Sequence, residues 1–292
     1  LTFKDYNTTL ESNKKIILLG PRNTENGYLI ESGFVTSDKN IDIPNSDSIW
    51  SVIGNNKLTN KSPIKLSWTN NQGVKFEKEI SLDDKYLFTI NQSVINSTNK
   101  KYDFYAYGQI IRNKIPEISN FYILHEGLIA TLDDELIEED YDDIQEKKFS
   151  RTSQKGWLGI SDKYWITSLI PSKGKEFKTT FDYKKKFRAN FIATEPLELK
   201  EKGKIEEKLQ IIVAAKRVDI IDSYAENLNI DKFDLVIDWG FLYFITKPLF
   251  FAIDYFFKLL GNYGLAIIAV TICIRLAFFP LANFSFRSMA KM

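Results

Sequence analysis

The sequence predicts a mainly β fold: a large sandwich followed by a short α segment, an interfacial amphipathic helix and one transmembrane helix. Three observations carry this. Between about residues 14 and 216, short alternating or β-rich runs are separated by clusters of Asn, Asp, Gly, Ser and Pro. A convincing helical period first appears at 217–228 (RVDIIDSYAENL). Residues 263–281 (YGLAIIAVTICIRLAFFPL) then form one apolar stretch with a single full charge, Arg275.

Candidate strands lie at 15–19, 28–35, 64–68, 74–80, 86–90, 102–111, 121–129, 164–170, 176–183, 187–193 and 208–215. The stretch 69–73 (TNNQG) between two of them is a hairpin signal. So many strands without a helical period argue against a βαβ plan. In 217–228, Val218, Ile221, Tyr224 and Leu228 fall on one side of a helix, which closes a domain spanning 1–230. A short acidic connector, 231–238, follows.

Residues 239–260 (WGFLYFITKPLFFAIDYFFKLL) are rich in aromatics, and Lys247, Asp254 and Lys258 are spaced i, i+7, i+11, so they share one helical face. That pattern describes a helix lying in the membrane interface, entered at Trp239, with Asp254 and Lys258 as an i,i+4 pair. A second membrane span is the competing reading, disfavoured because three charges at its middle are costly and Gly261-Asn262 leaves little room for a hairpin. Pro248 is expected to kink this helix or to begin its main part.

At 1.5 Å per residue the 263–281 stretch covers about 28 Å, close to the ~30 Å hydrocarbon core. An arginine there costs about 2.5–3.5 kcal/mol on insertion scales, so it faces a protein interior or a watery cavity unless it snorkels to the nearer end. Gly264, Ile268, Thr271, Arg275 and Ala282 share one sector of the wheel, a small and polar stripe. Arg287 and Lys291 follow with no acid after them, which places 282–292 at the start of a cytoplasmic region and the large domain across the membrane.

Composition narrows the chemistry. Lys+Arg (39) and Asp+Glu (38) balance to a net charge of +1, which gives no pull toward nucleic acid. Cys273 is the sole cysteine, so neither an intrachain disulfide nor a thiolate metal cluster can form. His125 is the sole histidine and sits in a strand-like run, a poor start for a catalytic constellation. The acidic run 133–143 (DDELIEEDYDD) lacks the loop spacing of a calcium site and reads as a solvated, mobile connection. No phosphate loop, dinucleotide fingerprint or nucleophile elbow occurs, and no cofactor or metal is expected. The aromatic block 156–171 holds Trp157, Tyr164 and Trp165, which fit either core packing or a hydrophobic binding groove. Leu1 is preceded by no signal or anchor pattern, so such a segment is expected ahead of it in the whole protein.

The blocks GWLGISDKYWITSLIP (156–171), RVDIIDSYAENL (217–228), WGFLYFITKPLF (239–250), GNYGLAIIAVTICIRLAFFPL (261–281) and SMAKM (288–292) resemble the YidC-type insertases of the Oxa/YidC/Alb family, with weaker support from 62–90. The resemblance implies a periplasmic β-supersandwich shaped like sugar mutarotases but without their activity, then an interfacial helix and the first of five core membrane helices. It implies that Arg275, with Thr271 beside it, lines a hydrophilic groove that attracts polar or acidic parts of a substrate's extracellular tail. The implied partners are nascent membrane proteins, the lipid bilayer and possible Sec translocon components, and further membrane helices are expected beyond Met292. Two other readings stay open: a membrane-anchored carbohydrate-active enzyme, and a periplasmic scaffolding or binding module.

Overall fold

The computed structural model describes residues 1–8, 12–116, 125–240 and 242–289. They form two units, Leu1–Ile237 and Asp238–Met292. In the first unit the strands are β1 (Thr2–Asn7), β2 (Lys15–Ile17), β3 (Tyr28–Val35), β4 (Ser51–Ile53), β5 (Ile64–Thr69), β6 (Val74–Leu82), β7 (Leu87–Asn96), β8 (Tyr102–Arg112), β9 (Gly127–Leu132), β10 (Glu135–Asp140), β11 (Phe149–Ser153), β12 (Gly156–Ser161), β13 (Trp165–Ile170), β14 (Phe177–Tyr183), β15 (Phe187–Ala193), β16 (Leu197–Leu199) and β17 (Lys204–Ala215). Helix α1 (Tyr141–Glu146) interrupts them, and α2 (Val218–Asn227) and a 3-10 turn (Phe233–Val236) follow.

Nine strands form one antiparallel sheet in the order β10-β9-β12-β13-β17-β7-β6-β5-β4. A second sheet runs β11-β14-β15-β8-β16, with β3 also paired to β8, and β1 and β2 form a separate ribbon. Alternation decides which side chains enter the core. Along β17, Leu209, Ile211 and Val213 join a first core with Phe181, Phe187 and Phe191 of the second sheet. Ile212 and Ala214, pointing the other way, join a second core with Ile221 and Tyr224 of α2 and Phe233 of the 3-10 turn. One end of the large sheet is therefore covered on both faces, which is why β9 is buried at all six positions.

Several expectations need correction. The acidic run 133–143 is no loose connection: it is a hairpin turn, strand β10 and the start of α1, held by buried Ile137 and Tyr141, with Ile144 of α1 buried just beyond. Its acids stay at the surface although they fall on both faces of β10, Glu135 and Glu139 with one parity and Glu138 and Asp140 with the other. The compact unit runs to Ile237, past the expected end at 230, because Phe233 and Val236 of the supposed connector are buried in the second core. Edge strands β4, β10, β11 and β16 and the ribbon strand β1 were not expected, being short or charged. The 121–129 strand starts only at Gly127 as β9, and residues 121–124 of that expectation lie outside the described residues.

The 69–73 turn forms as expected. Asn70 Oδ1 accepts the N–H groups of Gln72 (3.0 Å) and Val74 (2.8 Å), while Gly73 takes φ +88°, a region that L side chains rarely enter. Trp157 proves to be core, with its ring centroid 5.1 Å from that of Phe233. Trp165 stacks on Phe3 at 4.8 Å, and Tyr164 is exposed.

Two buried polar features tie the sandwich together. Arg112, at the end of β8, places Nη1 2.5 Å from Asp162 Oδ1 and 3.2 Å from the Tyr141 hydroxyl, while its guanidinium lies 4.6 Å from the Tyr28 ring centre. Burial pushes the Asp162 carboxyl up, and the Arg112 charge opposes that shift. The second feature is a polar belt across the inner face of the large sheet. Lys78 pairs with Gln92 and Gln92 with Glu207, so three laterally adjacent inward positions are polar. The belt separates the first core from a third core containing Phe76, Val94 and Phe104. Opposite it lies Gly108, where a Cβ would come within 2.6 Å of the Phe191 ring.

Lys78 has no carboxylate partner among the described ion pairs; its Nζ donates to the Ser32 carbonyl and lies 5.4 Å from the Trp50 ring centre. Desolvation brings its ammonium group down to about 8, from an ordinary 10.5. Between those values the folded chain binds fewer protons than the unfolded chain, so stability rises with pH across that window. The full effect is on the order of 3 kcal/mol. Denaturant titrations from pH 7 to 10.5 should show this rise in the native chain and lose most of it in Lys78→Met; equal pH dependence in both would refute the desolvated amine.

Candidate functional site

The second unit is a pair of helices, α3 (Tyr243–Leu260) and α4 (Tyr263–Met289). Glycine sets the turn between them. Gly261 closes α3 with φ +67°, its N–H donating to the Phe257 carbonyl at 2.8 Å. Asn262 then starts α4, its Oδ1 accepting the Leu265 N–H at 3.2 Å and its carbonyl the Ala266 N–H at 3.0 Å. Across the turn the Phe257 and Tyr263 rings stack at 3.8 Å.

Helix α3 begins at Tyr243, so Trp239 precedes it and Pro248 lies inside its second turn instead of at its start. Thr246 Oγ1 donates to the Trp239 carbonyl at 2.7 Å and ties the entry segment to the first turn. The four residues expected at the interface divide into two groups. Trp239 packs against Phe250 with centroids 5.5 Å apart, and Lys247 Nζ lies 5.7 Å from the Trp239 ring centre. Asp254 and Lys258 form an i,i+4 ion pair at 2.6 Å. None of the α3 side chains is buried, and Phe244, Ile245, Phe251, Tyr255 and Leu259 are exposed. A helix with that surface is not stable in water alone.

Residues Tyr263–Pro280 of α4 are long and apolar enough to cross a membrane, with mean hydropathy 1.9. Ala266 and Val270 are buried, and α3 is the helix packed against α4. At 100° per residue, Gly264, Ile268, Thr271 and Arg275 sit on the opposite side of the cylinder from Ala266 and Val270. The Thr271 hydroxyl donates to the Ile267 carbonyl at 2.7 Å, satisfied within its own helix. Arg275 is exposed, on the face turned away from α3. The side chains of Ala282 and Arg287 and all of Lys291 lie outside the described residues.

The β-domain offers little reactive machinery. His125 Nδ1 is 3.2 Å from Asp140 Oδ1, and its Nε2 is 3.3 Å from the Leu128 carbonyl, so both ring nitrogens face groups of the β9–β10 hairpin. Among the described residues no cluster of three His, Cys, Asp or Glu side chains could hold a metal. A cavity of about 290 Å³ opens beside Phe177, Phe191, Leu197, Lys175 and Glu207. There the Glu207 carboxylate is already paired with Lys175. Lys78, Arg112 and Asp162 were not foreseen as site candidates. For Lys78 a signal existed: in VKFEKEI it has the parity of Val74, Phe76 and Ile80, all inward.

Fold and helices together define a class: a β-sandwich domain carried by an apolar membrane helix behind an amphipathic one. Residues 1–252 match the family model described as the YidC periplasmic domain, and the chain belongs to that family. Its large domain is periplasmic and it is anchored in the bacterial inner membrane. It is 72% identical over 292 residues to the membrane protein insertase YidC of Pelagibacter ubique (strain HTCC1062), covering all of this chain and 52% of that one. It is 40% identical over 301 residues to the protein of the same name from Rickettsia rickettsii (strain Sheila Smith), covering 53% of it. The chain thus spans about half the length of the curated relatives it matches. Among solved structures it is similar to a galactose mutarotase related enzyme from Lactobacillus acidophilus, with TM-score 0.43 and 11% identity over 56% of this chain and 70% of that one. A putative aldose 1-epimerase from Escherichia coli K12 gives TM-score 0.39 and 10% identity, over 57% and 68% of the two chains.

Sugar ring opening needs a base at the anomeric hydroxyl and an acid at the ring oxygen. With the one imidazole turned into its own hairpin, the chain should not accelerate mutarotation. Polarimetry with a panel of aldohexoses and the purified chain should match buffer; a rate enhancement lost in His125→Ala would restore the enzyme reading.

Proposed function

We propose that this chain is the periplasmic domain and first core helix of a membrane-protein insertase and chaperone. It assists insertion and folding of inner-membrane proteins, alone or beside the Sec translocon, without catalysing a covalent reaction. The supporting observation is the position of Arg275: inside the apolar span of α4, on the face opposite the one packed toward α3. Leaving a guanidinium in hydrocarbon is costly, so in this reading that face meets further protein or water in the membrane core. A wet groove of intermediate dielectric makes such a charge attractive to acidic segments. At an effective dielectric constant near 20, a carboxylate roughly 4 Å away gains about 4 kcal/mol before desolvation costs. Arg275 would draw a polar tail part way across, and the small neighbour Thr271 would leave room for it.

In this reading Trp239, Lys247, Asp254 and Lys258 hold α3 at the periplasmic interface, where charged tips reach water and aromatic rings lie among headgroups. The partners are nascent membrane proteins and lipid, and no cofactor takes part.

In the longer protein, Arg275→Ala should lower insertion of substrates with acidic or polar translocated tails several-fold, with Arg275→Lys keeping part of the activity. Insertion assays on both variants decide it. Undiminished insertion by Arg275→Ala across several substrates would remove the groove arginine.

A further inference from the structure

Strand β4 ends the large sheet: Ser51, Val52 and Ile53 pair with Ser67, Leu66 and Lys65 of β5, and among the described residues no strand pairs with the other side. Its exposure is unusual for an edge. Ile49, Val52 and Ile53 are 88%, 51% and 43% exposed, and residues 49–54 (IWSVIG) contain no charge and no proline. Sheet edges are normally blunted by charge, proline or cover, since free N–H and C=O groups template pairing with another chain. The other edges of this domain follow that rule. Strand β10 carries Glu135, Glu138, Glu139 and Asp140; β11 carries Arg151; β3 carries Glu31. At β4, Trp50 is instead half-buried against the third core, which anchors the strand while its neighbours stay outside.

We propose that β4 is a strand-addition site for an extended, alternately apolar segment of another polypeptide, a function separate from the groove assigned to Arg275. The recognition chemistry is a backbone ladder along the free edge, with apolar side chains of the added strand covering Val52, Ile53 and Ile49. An unfolded segment fits better than a second copy of this chain. The three residues of β4 extend only about 10 Å. Self-pairing over that length falls well short of the roughly 1,200–2,000 Å² that stable interfaces bury. The edge therefore suits brief capture of a chain that has not yet formed its own sheet.

The test uses the whole chain in detergent micelles and a fluorescent ten-residue peptide of alternating Val and Thr. Saturable binding is expected. Val52→Lys and, separately, Ile49→Lys should weaken it at least tenfold, and both variants change exposed side chains, so their thermal unfolding should stay native-like. A peptide N-methylated at every residue should not bind, since neither of its edges keeps the donors for the ladder. Arg275→Ala should bind as the native chain does, so failure of the groove reading would leave this result untouched. The proposal is overturned by absence of saturable binding, by equal binding of the N-methylated peptide, by unchanged affinity in both lysine variants, or by concentration-dependent self-association as the only effect that Val52→Lys removes.

Discussion

The sandwich depends on how it buries Arg112. An ion taken out of water costs several kcal/mol even after relaxation, and only close pairing with further hydrogen bonds offsets that. Asp162 supplies the counter-charge from the turn after β12, Tyr141 a hydroxyl from α1, and Tyr28 a ring face from β3. The four residues come from both sheets and from the one helix between strands. Sliding either sheet past the other, or detaching α1, would separate them and leave a buried charge without its partner. The Lys78–Gln92–Glu207 belt adds a second polar marker between the first and third cores.

Arg275 meets the same constraint in a different solvent. Its side of α4 has no partner on α3, which packs on the opposite face. In the β-domain the chain resolves a buried guanidinium internally; in the proposed function the guanidinium of Arg275 meets groups outside these two helices. That contrast is what makes Arg275 a working residue in the proposed function and Arg112 a structural one.

Much of this was legible in the sequence because two periods rarely imitate each other. Strands at 28–35 and 187–193 carry clear alternation or dense β-formers, and 217–228 shows the helical repeat that places Ile221 and Tyr224 in the second core. Most of what escaped was short or charged, although the buried central strand β12 was neither. Strand β10 reads as an acidic linker because Glu138 and Asp140 obscure inward Leu136 and Ile137, and β4 has only three paired residues. The Arg112–Asp162 contact joins positions fifty residues apart, and no local pattern announces such a pair. Of the membrane-proximal residues, the Asp254–Lys258 pair was readable from i,i+4 spacing. The turn of Lys247 toward Trp239 was not, since Trp239 stands before the helix and outside its wheel.

The account rests on topology: the β-domain outside, α3 along the periplasmic surface, α4 crossing. Single cysteines at 247 and 258, in a background where Cys273 is Ser, report it directly in spheroplasts treated with a membrane-impermeant thiol reagent. Both positions should react without permeabilisation, because both lie within α3, which the proposed topology puts along the periplasmic surface. Labelling of either one only after the membrane is opened would mean that α3 spans the bilayer, and would contradict the arrangement on which the assignment of Arg275 depends.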